Sequence, residues 1–158
     1  MIYGDGTFDD LARVVDLTVD KLKKHAHEFD TIVVCGLSGV VVGSPVALRL
    51  CKPLVIIRKA DDTNIHHCGG QIVNPYRLER SRRYLILDDF ISSGRTVKYI
   101  HDRVTLALKH ALDGQPKCVG ACLYEELCQD SDAIRDVSTL CLPPLPQPKL
   151  AQSAIPWW

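Results

Sequence analysis

The sequence has no apolar run that approaches the ~20 residues a helix needs to span a bilayer. It also has no net charge, because 19 Lys and Arg balance 19 Asp and Glu, so a broad attraction to nucleic acid or to an anionic membrane is not expected. Seven cysteines, some within apolar runs, fit reduced and buried thiols better than a disulfide framework. The protein starts without a basic leader or a signal-peptide core. We therefore expect a cytoplasmic protein that binds neither nucleic acid nor membrane.

The composition is that of an ordinary globular domain. The 158 residues, 46% of them hydrophobic and 24% charged, are enough for a single domain with a substantial core. Short apolar runs predict buried strands, and apolar residues three, four or seven apart predict amphipathic helices. The predicted strands are 31–35, 54–57, 84–87, 118–123 and 137–142. The predicted helices are 7–29, a second that starts at Val40 or Pro45 and ends near Leu50, and 96–112.

The most informative stretch is residues 84–96. Its apolar start predicts a strand buried on both faces, as in a parallel sheet, and this strand stops at two adjacent carboxylates, Asp88 and Asp89. A loop of small residues follows, and helical spacing begins at Thr96. Such a loop, backed by a helix N-terminus, presents N–H groups that can hold a phosphate. The carboxylates would repel a phosphate and suit a sugar diol or a metal ion. The pattern therefore predicts a site for a phosphorylated sugar.

This stretch resembles the phosphoribosyl pyrophosphate (PRPP) signature of the type I phosphoribosyltransferases, in which a hydrophobic strand and two acidic residues precede a Ser/Thr-Gly-x-Thr loop. All thirteen residues match, and the Walker spacing of a Gly-Lys-Ser/Thr loop is absent. The resemblance covers about residues 31–125. It implies an α/β fold, a Rossmann-like three-layer sandwich with a mainly parallel sheet of four or five strands and helices on both faces. The N-terminal helix and the Pro-rich tail of this single domain, 1–158, would form the hood that encloses the base.

The resemblance also implies a role for each polar group. The amides and hydroxyls that would hold the 5-phosphate are those of Ser92, Ser93, Gly94, Arg95 and Thr96. The groups that would hold the pyrophosphate follow two other strands, and they are Leu37, Ser38, Gly39, Arg58 and Lys59. Glycines around Ser38 permit a close approach of the backbone to a ligand, and a basic pair at a strand's carboxyl end suits an anion. Asp88 and Asp89 would be the catalytic pair, binding the ribose hydroxyls and helping to place Mg²⁺.

The activity implied is transfer of the 5-phosphoribosyl group from PRPP to a nucleobase or similar nitrogen nucleophile, with Mg²⁺ as cofactor and with release of pyrophosphate, in a homodimer. Two departures from the hypoxanthine-guanine enzymes count against a 6-oxopurine acceptor. Ser92 stands where those enzymes have an Asp, and Tyr124 follows the 118–123 strand where they supply a Lys. The alternative is a PRPP- or nucleotide-sensing regulatory protein on the same fold with little or no catalytic activity, because a fold and its pocket can survive the loss of chemistry.

Two further segments carry expectations. Residues 60–82 have no clear periodicity, and the family has a mobile lid here, in which His66 and His67 would close over the ligand. The segment lacks the lid Lys of the orotate enzymes, and the spacing of His66, His67 and Cys68 matches no zinc template. At the end of the Pro-rich tail, Trp157 and Trp158 would cover apolar surface, contact a second subunit or stack on a base.

Overall fold

Five strands form one sheet with helices on both faces, in a computed structural model that describes residues 8–58, 72–73, 75–88, 95–108, 116–124 and 134. The elements in sequence order are α1 (Phe8–Lys23), β1 (Thr31–Cys35), α2 (Gly36–Arg49), β2 (Leu54–Ile57), β3 (Ile72–Val73), α3 (Pro75–Glu79), β4 (Arg83–Asp88), α4 (Arg95–Ala107) and β5 (Lys117–Leu123). The strand order is β3-β2-β1-β4-β5, with β3 antiparallel at one edge and the other four strands parallel. The predicted α/β class with a mainly parallel sheet is confirmed.

The central strands are buried on both faces, which explains why their sequences are continuous apolar runs. All five residues of β1 are buried, and so are the last five of β4. Side chains alternate between the faces. On one face, Val34 and Leu85 pack in a core with α1 and α2. On the other, Val33 and Ile86 pack with α3 and α4. The two faces therefore have separate cores, and each helix that follows a strand covers one of them.

The predicted strands agree closely with the structure where it describes them. Strands 31–35 and 54–57 have the predicted bounds, and β4 and β5 extend beyond the predicted runs by one or two residues. The predicted strand 137–142 lies outside the described residues. The aperiodic segment 60–82 was expected to be a long loop, but it contains β3 and α3. Elements of two and five residues are too short to show a period, and β3 is held by its pairing with β2.

Helix α1 ends earlier than predicted. It was expected to reach Phe29, but it stops at Lys23 and residues 24–28 form turns. The N–H of His25 bonds to the C=O of Leu22, three residues back, so the backbone tightens and reverses toward β1. Leu22 and Phe29 are nevertheless both buried in the same core. The apolar spacing was correct, and a turn rather than a continuous helix brings both side chains inward.

Helix α2 begins earlier than predicted. The prediction placed a loop at 36–39 and the helix start at Val40 or Pro45, but the helix begins at Gly36 and Pro45 lies inside it. Proline removes one helix hydrogen bond, and burial of the helix face against the sheet outweighs that loss. Gly43 allows this close packing, since a Cβ there would come within 2.6 Å of Val34 Cγ1. Helix α4 begins at Arg95, one residue before the predicted start, and it ends at Ala107 with Leu108 in a turn, earlier than the predicted end near residue 112.

At the amino ends of the strands, a carboxylate links β1 to β4. Asp30 accepts hydrogen bonds from the backbone N–H groups of Arg82 and Arg83, at 3.2 and 3.0 Å, and from the Arg83 guanidinium at 3.1 Å. The Arg83 side chain lowers the pKa of Asp30, and the two backbone donors add to this effect while partial burial opposes it. Beside it, Lys52 Nζ donates to the C=O of Phe29 at 2.8 Å. These contacts fix how the parallel strands start.

Candidate functional site

The candidate site lies at the carboxyl edge of the sheet, where the connections from β1 and β4 diverge. These two strands are neighbours, but β1 leads through α2 to β2 on one side, and β4 leads through α4 to β5 on the other. The two helices also cover opposite faces of the sheet. Parallel α/β sheets bind ligands in the crevice that such a switch in direction creates. Most of the predicted site residues that the structure describes follow or end these two strands, and Arg58 follows β2, the neighbour of β1.

The turn from β1 into α2 presents backbone amides at this edge. Gly36 has φ 69°, a left-handed conformation that favours glycine, and it redirects the backbone from strand to helix. The amides of the first helical turn have no acceptor within a helix, and Cys35 at the N-cap provides no side-chain hydrogen bond to them. Leu37 is 80% exposed, and Ser38 is exposed as well. The predicted pyrophosphate segment is therefore an accessible helix N-terminus.

Gly39 has a packing role as well. It is buried, and a Cβ on it would lie 3.1 Å from Val34 Cβ and 3.8 Å from the C=O oxygen of Leu87. The residue thus faces β1 and β4, and its lack of a side chain lets the start of α2 approach both strands. The sequence suggested that this glycine serves close approach to a ligand. The structure adds that it seats the first turn of α2 against the sheet.

Strand β4 ends in a buried carboxylate. Asp88 is the last residue of β4 and only 3% exposed, and among the described side chains it is the one charged group that is buried. Because strand side chains alternate, Asp88 lies on the face of Tyr84 and Ile86, which α4 covers. Its partner in the predicted pair, Asp89, lies outside the described residues. The electrostatic effect of Asp88 is strengthened by its exclusion from water.

The predicted phosphate loop is described only at its end. Arg95 and Thr96 are the first residues of α4, with Arg95 exposed and Thr96 half-buried. The rest of the predicted group, Ser92, Ser93 and Gly94, lies outside the described residues. What the structure places here is a second helix N-terminus, which carries a partial positive charge and so favours an anion.

A tyrosine of α4 contacts the backbone of Arg58, one of the two basic residues predicted to bind pyrophosphate. Arg58 directly follows β2 and is half-buried. Its backbone C=O accepts a hydrogen bond from Tyr99 Oη at 3.0 Å. The Tyr99 ring in turn contacts the Arg103 guanidinium, which lies 4.9 Å from the ring centroid. Lys59, the second predicted cation, lies outside the described residues, as do the lid residues His66 and His67, Cys68, and the tail tryptophans Trp157 and Trp158.

A second tyrosine connects two of the predicted groups. Tyr124 follows β5 and is 2% exposed. Its N–H donates to the C=O of Asp88 at 3.1 Å, and its Oη donates to the C=O of Ser38 at 3.4 Å. Neither this contact nor that of Tyr99 was predicted. Tyr124 was marked only by its position after a strand, and no pattern in the sequence distinguishes Tyr99 from its neighbours in α4.

A magnesium ion fits the donor set. Mg²⁺ takes oxygen ligands and keeps several waters, so one or two carboxylates plus substrate phosphates suffice for it. The Asp88 carboxylate at the strand end has this chemistry. Within the residues that the structure describes, no group of three or more His, Cys, Asp or Glu side chains could hold a metal. The donor set therefore suits an ion shared with a phosphorylated ligand better than a site built from protein side chains alone.

The described cysteines do not belong to this chemistry. Cys35, Cys51, Cys118 and Cys122 are thiols. Burial raises the pKa of the Cys122 thiol to about 12, so the reactive thiolate is not formed at neutral pH. Burial also raises the pKa of Tyr84, with a contribution from Cys118 beside it. Cys122 and Tyr84 are thus packing groups of the central strands.

In the described residues, no helix is both long and apolar enough to cross a membrane.

Comparisons with known proteins identify relatives with this architecture. The protein is 33% identical over 128 residues to the adenine phosphoribosyltransferase of Malacoplasma penetrans, covering 72% of this sequence and 74% of that one. It is also 33% identical over 90 residues to the transcriptional regulator GfcR of Methanocaldococcus jannaschii, covering 56% of this sequence but only 43% of the regulator. Among solved structures, the adenine phosphoribosyltransferase of Saccharomyces cerevisiae, at 16% identity, superposes with a TM-score of 0.55 over 81% of this protein and 78% of that one. No family model matches the sequence.

Proposed function

This chain belongs to the phosphoribosyltransferase family, and we propose that it transfers the 5-phosphoribosyl group of PRPP to a nucleobase or similar nitrogen nucleophile, with release of pyrophosphate. The observation that supports this best is that Ser38, Arg58 and Asp88 follow or end three neighbouring parallel strands, β1, β2 and β4, at the same carboxyl edge of the sheet. Ser38 and Asp88 are joined through Tyr124, and Arg58 is joined to α4 through Tyr99. These are the groups to which the sequence assigned the pyrophosphate and the ribose of PRPP.

The two ends of PRPP carry phosphates, and two helix N-termini border the crevice. The first turn of α2, with Leu37, Ser38 and Gly39, would hold the pyrophosphate through its amides, with Arg58 and Lys59 supplying positive charge. The start of α4, with Arg95, Thr96 and the preceding 92–94, would hold the 5-phosphate. Helix dipoles and backbone N–H groups suit both anions. The ribose would then span the interval between α2 and α4, beside the end of β4.

The carboxylates would serve the ribose. Asp88 and Asp89 would accept hydrogen bonds from its hydroxyls, and they would stabilise the positive charge that develops on the ring as the bond to pyrophosphate breaks. Because Asp88 is buried, this stabilisation acts in a region of low dielectric and costs little reorganisation. Mg²⁺, which Asp88 and Asp89 would help to hold, would neutralise charge on the pyrophosphate. The remaining rate enhancement would come from holding the acceptor nitrogen close to the reacting carbon.

Adenine is the first acceptor to test. The relative from Malacoplasma penetrans is an adenine phosphoribosyltransferase, and Ser92 and Tyr124 already made a 6-oxopurine less favoured. A second candidate function is a nucleotide- or PRPP-sensing regulator, which the similarity to the regulator GfcR supports. The single-domain organisation, a homodimer, a cytoplasmic location and a lid with His66 and His67 remain predictions.

The test is binding followed by turnover. PRPP with Mg²⁺ should stabilise the protein against unfolding by about 2.7 kcal/mol at a hundredfold excess over Kd, because it binds only the folded state. Isothermal calorimetry and thermal shift measure this directly. Pyrophosphate release is then followed with adenine, and with hypoxanthine, guanine and orotate as comparisons. If PRPP, pyrophosphate and ribose 5-phosphate all fail to bind, both functions are wrong. If PRPP binds but no base releases pyrophosphate, the regulator is favoured.

A further inference from the structure

Two tyrosine hydroxyls donate hydrogen bonds to backbone carbonyls of residues that are proposed to bind the pyrophosphate. Tyr99 Oη donates to the C=O of Arg58 at 3.0 Å, and Tyr124 Oη donates to the C=O of Ser38 at 3.4 Å. We propose that both are positioning residues for the pyrophosphate of PRPP, an inference that rests on the proposed function. Neither hydroxyl is proposed to contact the substrate. Each acts through a backbone carbonyl, that of Arg58 or that of Ser38, in a segment that is proposed to bind the pyrophosphate.

The geometry of the peptide bond carries the argument. In a planar trans peptide, the C=O and the N–H of the next residue are fixed relative to each other and point in opposite directions. Holding the C=O of Ser38 therefore helps to fix the first turn of α2, in which the N–H groups of Leu37 and Ser38 have no acceptor within the helix. Holding the C=O of Arg58 fixes the peptide that joins it to Lys59, and both of these residues are proposed to bind the pyrophosphate. Each hydroxyl thus orients a binding peptide.

Tyr99 connects the two phosphate-binding regions. It lies one turn after Arg95 in α4, so the helix whose first turn is proposed to hold the 5-phosphate also anchors the end of β2. Its ring is half-buried and contacts the guanidinium of Arg103. A phenylalanine would keep the ring and this contact, because the face of any aromatic ring attracts a cation. Tyr99→Phe therefore removes the hydroxyl and little else.

Tyr124 connects the strand of the catalytic carboxylate to α2. It is packed in the core between the sheet and the helices α1 and α2, and its N–H is bonded to the C=O of Asp88. That backbone bond survives in Tyr124→Phe, as does the packing of the ring. At 3.4 Å its hydroxyl bond is longer than the usual O–H···O distance, so the effect of removing it should be smaller than at Tyr99.

The experiment compares two ligands that occupy different halves of the site. Because each variant removes one hydrogen bond, Tyr99→Phe should raise the Kd of magnesium pyrophosphate by about fivefold, and Tyr124→Phe by about twofold to threefold. The Kd of ribose 5-phosphate should change by less than about twofold in both variants. The matched control is Tyr84→Phe, which removes a buried hydroxyl beside Cys118 at the start of the same strand that ends in Asp88. It should change neither Kd.

The outcomes separate this inference from the proposed function. If the wild-type protein does not bind pyrophosphate, the function is wrong and the positioning role falls with it. If the wild type binds pyrophosphate and Tyr99→Phe binds it equally well, only the positioning role is wrong. A loss of affinity for both ligands by the same factor would show a general structural role and would also overturn it. Should one variant fail to fold, the other variant decides.

Discussion

The two edges of the sheet use their polar groups differently. At the amino edge, the groups bond to one another: Asp30 binds two backbone N–H groups and the Arg83 guanidinium, and Lys52 binds the C=O of Phe29. At the carboxyl edge, the hydroxyls of Tyr99 and Tyr124 donate hydrogen bonds to backbone carbonyls. The first turn of α2 is accessible there, with Leu37 exposed. The contacts at the amino edge are internal to the protein, whereas the carboxyl edge is where we propose that the ligand binds. Substitutions at the amino edge should therefore change the free energy of unfolding, whereas substitutions at the carboxyl edge should change the rate of the reaction.

The largest effect is expected from the carboxylates at the carboxyl edge. The double substitution Asp88→Asn, Asp89→Asn keeps the size of both side chains and removes both charges. It should lower kcat by at least about tenfold, equivalent to roughly 1.4 kcal/mol, because a carboxylate stabilises the developing positive charge more than it stabilises the ground state. The measurement is single-turnover release of pyrophosphate at saturating PRPP, with the acceptor base that the binding screen identifies.

The control for this prediction is the corresponding change at the amino edge. Asp30→Asn also replaces a hydrogen-bonded carboxylate by an amide, but it lies at the opposite ends of the strands. It should leave kcat within about twofold of the wild type, because no reacting group contacts it. If the double variant turns over as fast as the wild type once saturated, the catalytic role of Asp88 and Asp89 is wrong. An equal loss of kcat in Asp30→Asn would remove the contrast between the edges.

The next effect concerns stability at the amino edge. Asp30→Ala removes the acceptor for three hydrogen bonds and should lower the free energy of unfolding by about 1 kcal/mol. This is the low end for charged hydrogen bonds, because the Asp30 and Arg83 side chains are 37% and 42% exposed and water screens them. Thermal unfolding should show a decrease in Tm of about 2–4 °C for a domain of this size.

Two measurements confine that effect to the amino edge. The Kd of PRPP should stay within about twofold of the wild type in Asp30→Ala. Asp16→Ala, which removes the exposed ion pair between Asp16 and Arg49 on α1 and α2, should change the free energy of unfolding by less than about 0.5 kcal/mol. If Asp30→Ala weakens PRPP binding as strongly as it lowers Tm, the two edges are coupled and their division of roles is wrong.

The difference between the edges also explains how much of the molecule could be predicted from its sequence. The four parallel strands were predicted almost residue for residue, because a strand covered on both faces must be a continuous apolar run, as in 31–35. The start of α2 was wrong. Glycines in residues 36–39 indicated a loop by local propensity, and Pro45 left the helix start open, but packing against Val34 and Leu87 overrides these local signals. Local rules failed where tertiary contacts are closest.

The site was predicted in part for a related reason. Ser38, Arg58 and Asp88 each follow or end an apolar run, and the carboxyl ends of parallel strands meet at one edge, so the sequence was sufficient to group them. Tyr99 and Tyr124 were not predicted, because each bonds to a backbone carbonyl far away in the sequence. A carbonyl is present at every residue, so no sequence pattern identifies the pairing. Only the structure shows which distant side chains donate hydrogen bonds to the backbone of the candidate site.

The smallest effect is a pH dependence that belongs to the amino edge alone. The pKa of Asp30 in the folded protein is lowered from its ordinary value of 3.8, chiefly by the hydrogen bond from the Arg83 side chain. A lowered folded pKa means that the contribution of Asp30 to stability is fully present above 3.8 and is lost as the pH falls through the folded pKa. Asp30→Asn cannot titrate, so the difference in unfolding free energy between wild type and variant should be present at about pH 6 and should shrink at about pH 3. Urea unfolding of both proteins at the two pH values measures it, and the other carboxyls, common to both proteins, cancel in the difference. A difference that stays constant or grows in acid would mean that the charge of Asp30 does not stabilise the junction of β1 and β4, and that its hydrogen-bond geometry alone does so.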